Sequence, residues 1–145
     1  MNPRSVSFRV GTGRTRLDCI AIDTGEGVTL VLTGGDRPHV GAVSVSLSAE
    51  TSGTGDGCED DAAGGFDFAL PSHRDLELAA PIARELACRL GSPAVVVAGV
   101  HLDHVTRGEI EEVLSLRDAV VEHALLAFRE GGMLHSIFGA PQENG

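Results

Sequence analysis

The seven residues Ala94–Val100, AVVVAGV, are apolar at every position. The run is far too short to span a membrane, and its β-branched content favours a strand over a helix. A strand with no polar side belongs inside a sheet, so the rest of the chain must supply its neighbours.

Upstream, four segments do so. Ser5–Val10 alternates Ser, Ser and Arg with Val, Phe and Val, the period of a half-buried strand. Arg16–Asp23, RLDCIAID, and Val28–Thr33 read as the next two strands. In Val40–Ser48, Val43, Val45 and Leu47 mark one face and Ser44, Ser46 and Ser48 the other. Short links such as GTGRT and TGEG favour an antiparallel meander with one wet face. FDFALP, from Phe66, returns briefly to the sheet.

Helical spacing appears twice. Ala79, Ile82, Ala83, Leu86, Ala87 and Leu90 form one stripe. Pro81 is costly inside a helix, so this one is expected to start near Ala80 and to end at Gly91. The second opens on TRGE, Thr106–Glu109, the pattern of a capping box. Its stripe runs from Ile110 through Val113, Leu114, Val120, Val121, Ala124 and Leu125 to Phe128, and Gly131 and Gly132 stop it. The order ββββ–α–β–α implies an α+β fold, a largely antiparallel sheet with two helices on one face. The 145 residues suit a single domain. The acidic, Gly-rich stretch 50–65 reads as a mobile loop, and the tail from about 132 as flexible.

Charge narrows the function. A net charge of −10 argues against nucleic acid, which needs a basic surface, and against adsorption to an anionic membrane. All 11 basic residues are Arg, which excludes a lysine Schiff base and a Walker-type phosphate lysine. Cys19, Cys58 and Cys88 are widely spaced and odd in number, so neither a disulfide framework nor a zinc knuckle is indicated. Cys19 and Cys88 read as small core residues. With no apolar leader, a soluble cytoplasmic protein is expected.

Most apparent motifs dissolve on inspection. GTGRTR at Gly11 lacks the third glycine of a dinucleotide fingerprint and precedes a strand. SHRD, Ser72–Asp75, has triad residue types, but sequence neighbours rarely converge in triad geometry. Glu109, Glu111 and Glu112 are explained by the helix dipole. His123 and His135 receive no role.

Two constellations remain. In TGGDRPHVG, Thr33–Gly41, consecutive glycines would let backbone N–H groups converge on an anion. Arg37 would clamp phosphate, Pro38 stiffen the loop and His39 offer a donor, acceptor or metal ligand. A wide turn with exposed Asp36 and His39 accounts for the same residues without a ligand. The other constellation is GVHLDH, Gly99–His104, leaving the apolar strand. In extended chain His101 and Asp103 share a side that His104 does not. His101, Asp103 and His104 are competent ligands for a divalent metal ion, and His39 would complete the set. A solvated, locally hydrogen-bonded turn explains them equally.

LTGGDRPHVGAVS and VVVAGVHLDHVTRGEIEEV resemble the LpdD-like prenylated-flavin chaperone family, small accessory subunits of hydroxyarylic-acid decarboxylases. The family pattern is a strand entering a TGGD-x-PH-[IV]-G loop, then an apolar strand running into a GVH-type turn and a final helix. This resemblance implies a non-catalytic subunit that binds prenylated FMN as cargo and delivers or protects it for a UbiD-type decarboxylase. It implies cofactor contacts from Thr33, Gly34, Gly35, Asp36, Arg37, His39 and His101, with a divalent metal ion as a further bridge. The partners it implies are the decarboxylase and the flavin prenyltransferase. Two other readings stay open: a metal-dependent enzyme acting on a small acid, and a purely structural decarboxylase subunit. An uncovered strand edge or sheet face would favour a homodimer.

Overall fold

The computed structural model describes residues 4–47 and 64–128. Its elements are β1 (Arg4–Val10), a 3-10 turn (Gly13–Thr15), β2 (Leu17–Asp23), β3 (Val28–Gly35), β4 (Ala42–Ser46), β5 (Gly65–Ala69), α1 (Leu76–Leu90), β6 (Ala94–His101) and α2 (Arg107–Ser115). Beyond a turn at Leu116 the chain is helical again over 117–128, here α3.

The strands form one six-stranded sheet in the order β1-β2-β3-β6-β4-β5. The β3–β6 pair is parallel and the other pairings are antiparallel. This α+β architecture matches the expected class, with one departure from a meander: β6 inserts between β3 and β4. Placing the wholly apolar strand in the interior hydrogen-bonds both of its edges. The connection 36–41 is long enough to step over it, which a two-residue hairpin could not do.

Leu17, Leu30, Leu32 and Val96 on the inner sheet face pack with Ile82 and Leu86 of α1 and with Val120 and Leu125 of α3 in one core. Strand β4 faces the opposite way from its expected orientation. Ser44 and Ser46 are buried, whereas Val43 and Val45 lie on the outer face. Small side chains let the alanine-rich α1 approach β4 closely, and Ser44 Oγ donates to Asp67 on β5 at 2.5 Å. Alternation alone cannot tell which face is inside when a serine finds an acceptor on the neighbouring strand.

Helix α1 begins earlier than expected and carries Pro81 inside it. Pro81 has no N–H for the carbonyl of Glu77. Arg117 from α3 approaches that carbonyl instead, its Nη1 lying 3.5 Å away, while Leu78, Ala79, Ala80, Ile82 and Ala83 are all buried. Gly91 caps the helix in a left-handed conformation, φ 63°.

The capping box at Thr106 forms as its pattern indicates. Thr106 Oγ1 accepts from the Glu109 N–H at 3.1 Å, and Glu109 Oε1 accepts from the Thr106 N–H at 3.3 Å. The single long helix expected there breaks at Leu116, whose N–H tightens onto the Val113 carbonyl. Glu109 and Glu112 do more than face a helix dipole. Glu109 pairs with Arg14 at 2.7 Å, and Glu112 accepts from Thr15 at 2.8 Å, tying the 3-10 turn to α2. His123 stacks on Phe8 with ring centroids 5.6 Å apart.

Cys19 is buried as expected, and burial, with Asp18 nearby, pushes its thiol up to about 12. Cys88 departs from its expected role as a small core residue: it is half-buried and disulfide-bonded. Most of the stretch 50–65 and the tail from 132 lie outside the described residues. No helix among the described residues is long and apolar enough to cross a membrane.

Candidate functional site

Strands β3 and β6 run parallel and finish side by side, Gly35 opposite His101. Loop 36–41 leaves β3 there, crosses the end of β6 and enters β4. It is seated by backbone hydrogen bonds: Asp36 and Arg37 donate to the His101 carbonyl at 2.7 and 3.3 Å, and Gly41 donates to the Ala98 carbonyl at 2.9 Å. His39's carbonyl rests against Gly99, where an added Cβ would overlap it. The N–H groups of Asp36 and Arg37 are therefore already committed to β6. Gly34 and Gly35 likewise face the backbone carbonyls of Arg16 and His101. Their role is close packing of chain on chain.

One cluster stands on the exposed side of this crossing. Arg37 Nη2 lies 2.7 Å from Asp103 Oδ1 and 2.8 Å from His101 Nε2, and His101 Nε2 lies 3.1 Å from the same carboxylate oxygen. The hydrogen bond from Arg37, and then that from His101, holds the Asp103 carboxyl below its ordinary range. Asp36 accepts from the Asp103 N–H at 2.8 Å and lies 3.7 Å from Arg14. Arg14 also donates to the Asp103 carbonyl. Opposite charges here already neutralise one another.

A second cluster lies deeper. Asp75 occupies the N-cap position of α1, where a carboxylate ordinarily accepts from its own helix. Its side chain makes no such bond. Oδ1 accepts from the Val100 N–H of β6 at 2.8 Å, and Oδ2 lies 3.4 Å from His39 Nε2. Asp75 is 8 % exposed. His39 Nδ1 lies 3.1 Å from the Arg37 carbonyl, whereas Nε2 is buried and has no hydrogen-bond partner. The rings of His73 and His101 approach His39 edge-on, with centroids 4.8 and 6.1 Å away.

These histidines border a cavity of about 340 Å³ between the start of α1, the end of β6 and α2. That volume is at the lower end of the roughly 300–1,000 Å³ usual for small-molecule sites. Its lining is half aliphatic, including Leu78, Val100, Leu102, Val113 and Leu114, and half polar, with Arg74, Asp75 and Glu77 beside the histidines. A slot with aliphatic residues on its walls and three imidazoles at its border suits a flat heterocyclic ligand bearing hydrogen-bond acceptors or donors on its edge.

The residues named from sequence divide accordingly. His39 and His101 line the cavity. Arg37, Asp36 and Asp103 form the exposed cluster beside it. Thr33 projects from the outer sheet face. His104 takes a left-handed conformation, φ 51°, and is exposed away from the cavity. Among the described residues no three His, Cys, Asp or Glu side chains are grouped to hold a metal ion. Sequence reasoning missed Asp75 and His73, because SHRD was weighed only as a triad. The available signal was an Asp at a helix N-cap beside a His, a pair that can be turned outward as well as onto its own helix.

Residues 11–129 match the family model of the prenylated flavin chaperone LpdD-like domain. No curated protein matches the chain. Among solved structures, the crystal structure of a chaperone complex for yeast 20S proteasome assembly superposes with a TM-score of 0.55 at 12% identity, over 89% of this chain and 97% of that one. At that identity the likeness is one of fold. The family match covers most of the chain, including the 36–41 loop, the β6 turn and both clusters: the chain belongs to the prenylated flavin chaperone LpdD-like family.

Proposed function

We propose that this chain binds prenylated FMN as cargo and delivers or protects it for a UbiD-type aromatic-acid decarboxylase, catalysing no reaction itself. Family membership supports the ligand class. The single structural observation that carries the reading is a cavity of about 340 Å³ bordered by His39, His73 and His101, with aliphatic residues able to flank a flat ring. Leu78, Val100, Leu102 and Val113 would sandwich the ring in place of Tyr or Trp, which the chain lacks.

The phosphate role first assigned to Gly34, Gly35 and Arg37 takes a different form in this reading. Arg37 reaches a phosphate by exchanging it for Asp103, an anion-for-anion swap at an exposed site, while His101 remains on the cavity wall. Handover to the decarboxylase is eased when the cargo's anion competes with a built-in carboxylate, because release then restores the Arg37–Asp103 pair.

The test is anaerobic titration of the protein with reduced prenylated FMN and with plain FMN, followed by fluorescence and calorimetry. Saturable binding that favours the prenylated form is expected, weakened about tenfold by His39→Ala, the equivalent of roughly 1.4 kcal/mol. Mixing the loaded protein with apo-decarboxylase should then restore decarboxylation. Absence of binding to either flavin would sink the proposal.

A further inference from the structure

The valines of β6 that point away from the helices lead to a second site. The outer sheet face carries a continuous row of directly paired residues, Ser7, Ile20, Val31, Val97, Val43 and Phe68, one from each strand. The neighbouring row runs from Ser5 to Phe66 and includes Ile22, Val95 and Val45. Neither row contains an ionisable side chain. Phe66 and Phe68 are 63% and 53% exposed, and Ile20 is 44% exposed. All three described helices lie on the other face.

We propose that this face pairs with the same face of a second copy, forming a two-fold dimer in which the two sheets stack. Three observations select a second copy as the occupant. A chain of net charge −10 repels its own kind across most of its surface, and a neutral apolar face is where two copies can meet without that cost. Size fits as well. Six strands spaced about 4.8 Å apart, with three outward residues on each of β1, β2 and β3 and two on each of β6, β4 and β5, span roughly 500 Å² of flat footprint, and side-chain relief raises this toward the ≈800 Å² per partner of a standard interface.

Shape completes the case. The β5 end of the face presents the protruding phenylalanines, and the opposite end holds a hollow of about 470 Å³ bordered by Ser7, Arg9, Asp18, Ile20, Val31 and Thr33. A two-fold axis parallel to the strands, between β3 and β6, lays the phenylalanine end of each copy over the hollow of the other. This is the reciprocal contact that an isologous interface requires. Face-to-face sheets packed this way align within about 30°. Strand direction is kept by such an axis, so both His39 cavities open at the same end of the dimer. The inference does not depend on which ligand those cavities hold.

Sedimentation velocity of the full chain decides it, run across a concentration series with the single variants Ile20→Glu and Phe68→Glu. The expected result is a species of twice the 15.0 kDa chain, with each variant raising the dimer dissociation constant roughly tenfold to hundredfold while the circular dichroism is retained. Should either variant misfold, Ser7→Glu, at an exposed position of the edge strand, delivers the same charge to the hollow without touching the core. A monomeric wild type overturns the proposal and leaves the face to a different protein. So does a dimer that none of the three variants weakens, since the copies would then meet elsewhere.

Discussion

Two clusters meet at His101, and they differ in what they leave open. Arg37, His101 and Asp103 form an exposed group in which each charge has its counterpart within 3.1 Å. His39 and Asp75 form a buried group in which the carboxylate spends its good hydrogen bond on Val100, and the imidazole Nε2 is left without one. The lesson is that charge density is a poor guide to a binding site. The polar residues most visible in the sequence close on one another at the surface, where screening makes each contact weak. The group with unused capacity is the one packed beside the cavity, where an unmade hydrogen bond is costly.

The strongest way to break this contrast is to unseat the loop that serves both clusters. In Gly99→Ala the new Cβ would overlap the His39 carbonyl. We expect about 3 kcal/mol of lost stability in denaturant unfolding, together with loss of flavin binding, because the loop must lift off β6. A smaller effect is expected at the buried cluster. Asp75→Ala strips the Val100 N–H of its acceptor and should lower unfolding free energy by about 1–3 kcal/mol, whereas Asp75→Asn keeps an acceptor and should recover most of that. Equal losses in the two variants would assign the stabilisation to the carboxylate's charge facing His39 instead.

Smallest of all is the effect at the exposed cluster. Arg37→Ala should leave the melting temperature near that of the wild type and return the Asp103 carboxyl toward its ordinary 3.8, readable by carboxyl NMR titration. The sign of the pH dependence follows from a lowered folded-state value. Whatever the pair contributes is fully present above the ordinary carboxylate range and is lost only as pH falls through the depressed value, so neutral-pH behaviour should be flat. A stability loss in Arg37→Ala as large as that in Asp75→Ala would erase the distinction between the clusters.

Much of the fold was legible before any coordinates. The strands β1, β2 and β3, the apolar β6 and the Thr106 capping box all rest on short-range pattern, and each lies where its pattern indicates. Pattern misled where a distant residue changed the local balance. Ser44 is buried because Asp67, 23 residues away, accepts its hydrogen bond. Pro81 stands inside α1 with Arg117 at the carbonyl it leaves free. At the site, His39 and His101 were visible as unusual residues in loops. Asp75 was not, because its value lies in reaching β6 and not in its own sequence neighbourhood.

By itself, then, the sequence determined the element types, the central strand and the cap of α2, since each depends on residues within a turn or a strand of one another. Tertiary structure alone decided that β6 would separate β3 from β4, that the N–H groups of Asp36 and Arg37 would bind β6, and that Asp75 would face His39. Those outcomes follow from competition among contacts far apart in the chain. A backbone donor or a buried carboxylate takes the partner that folding brings nearest, and no local pattern records which partner that is.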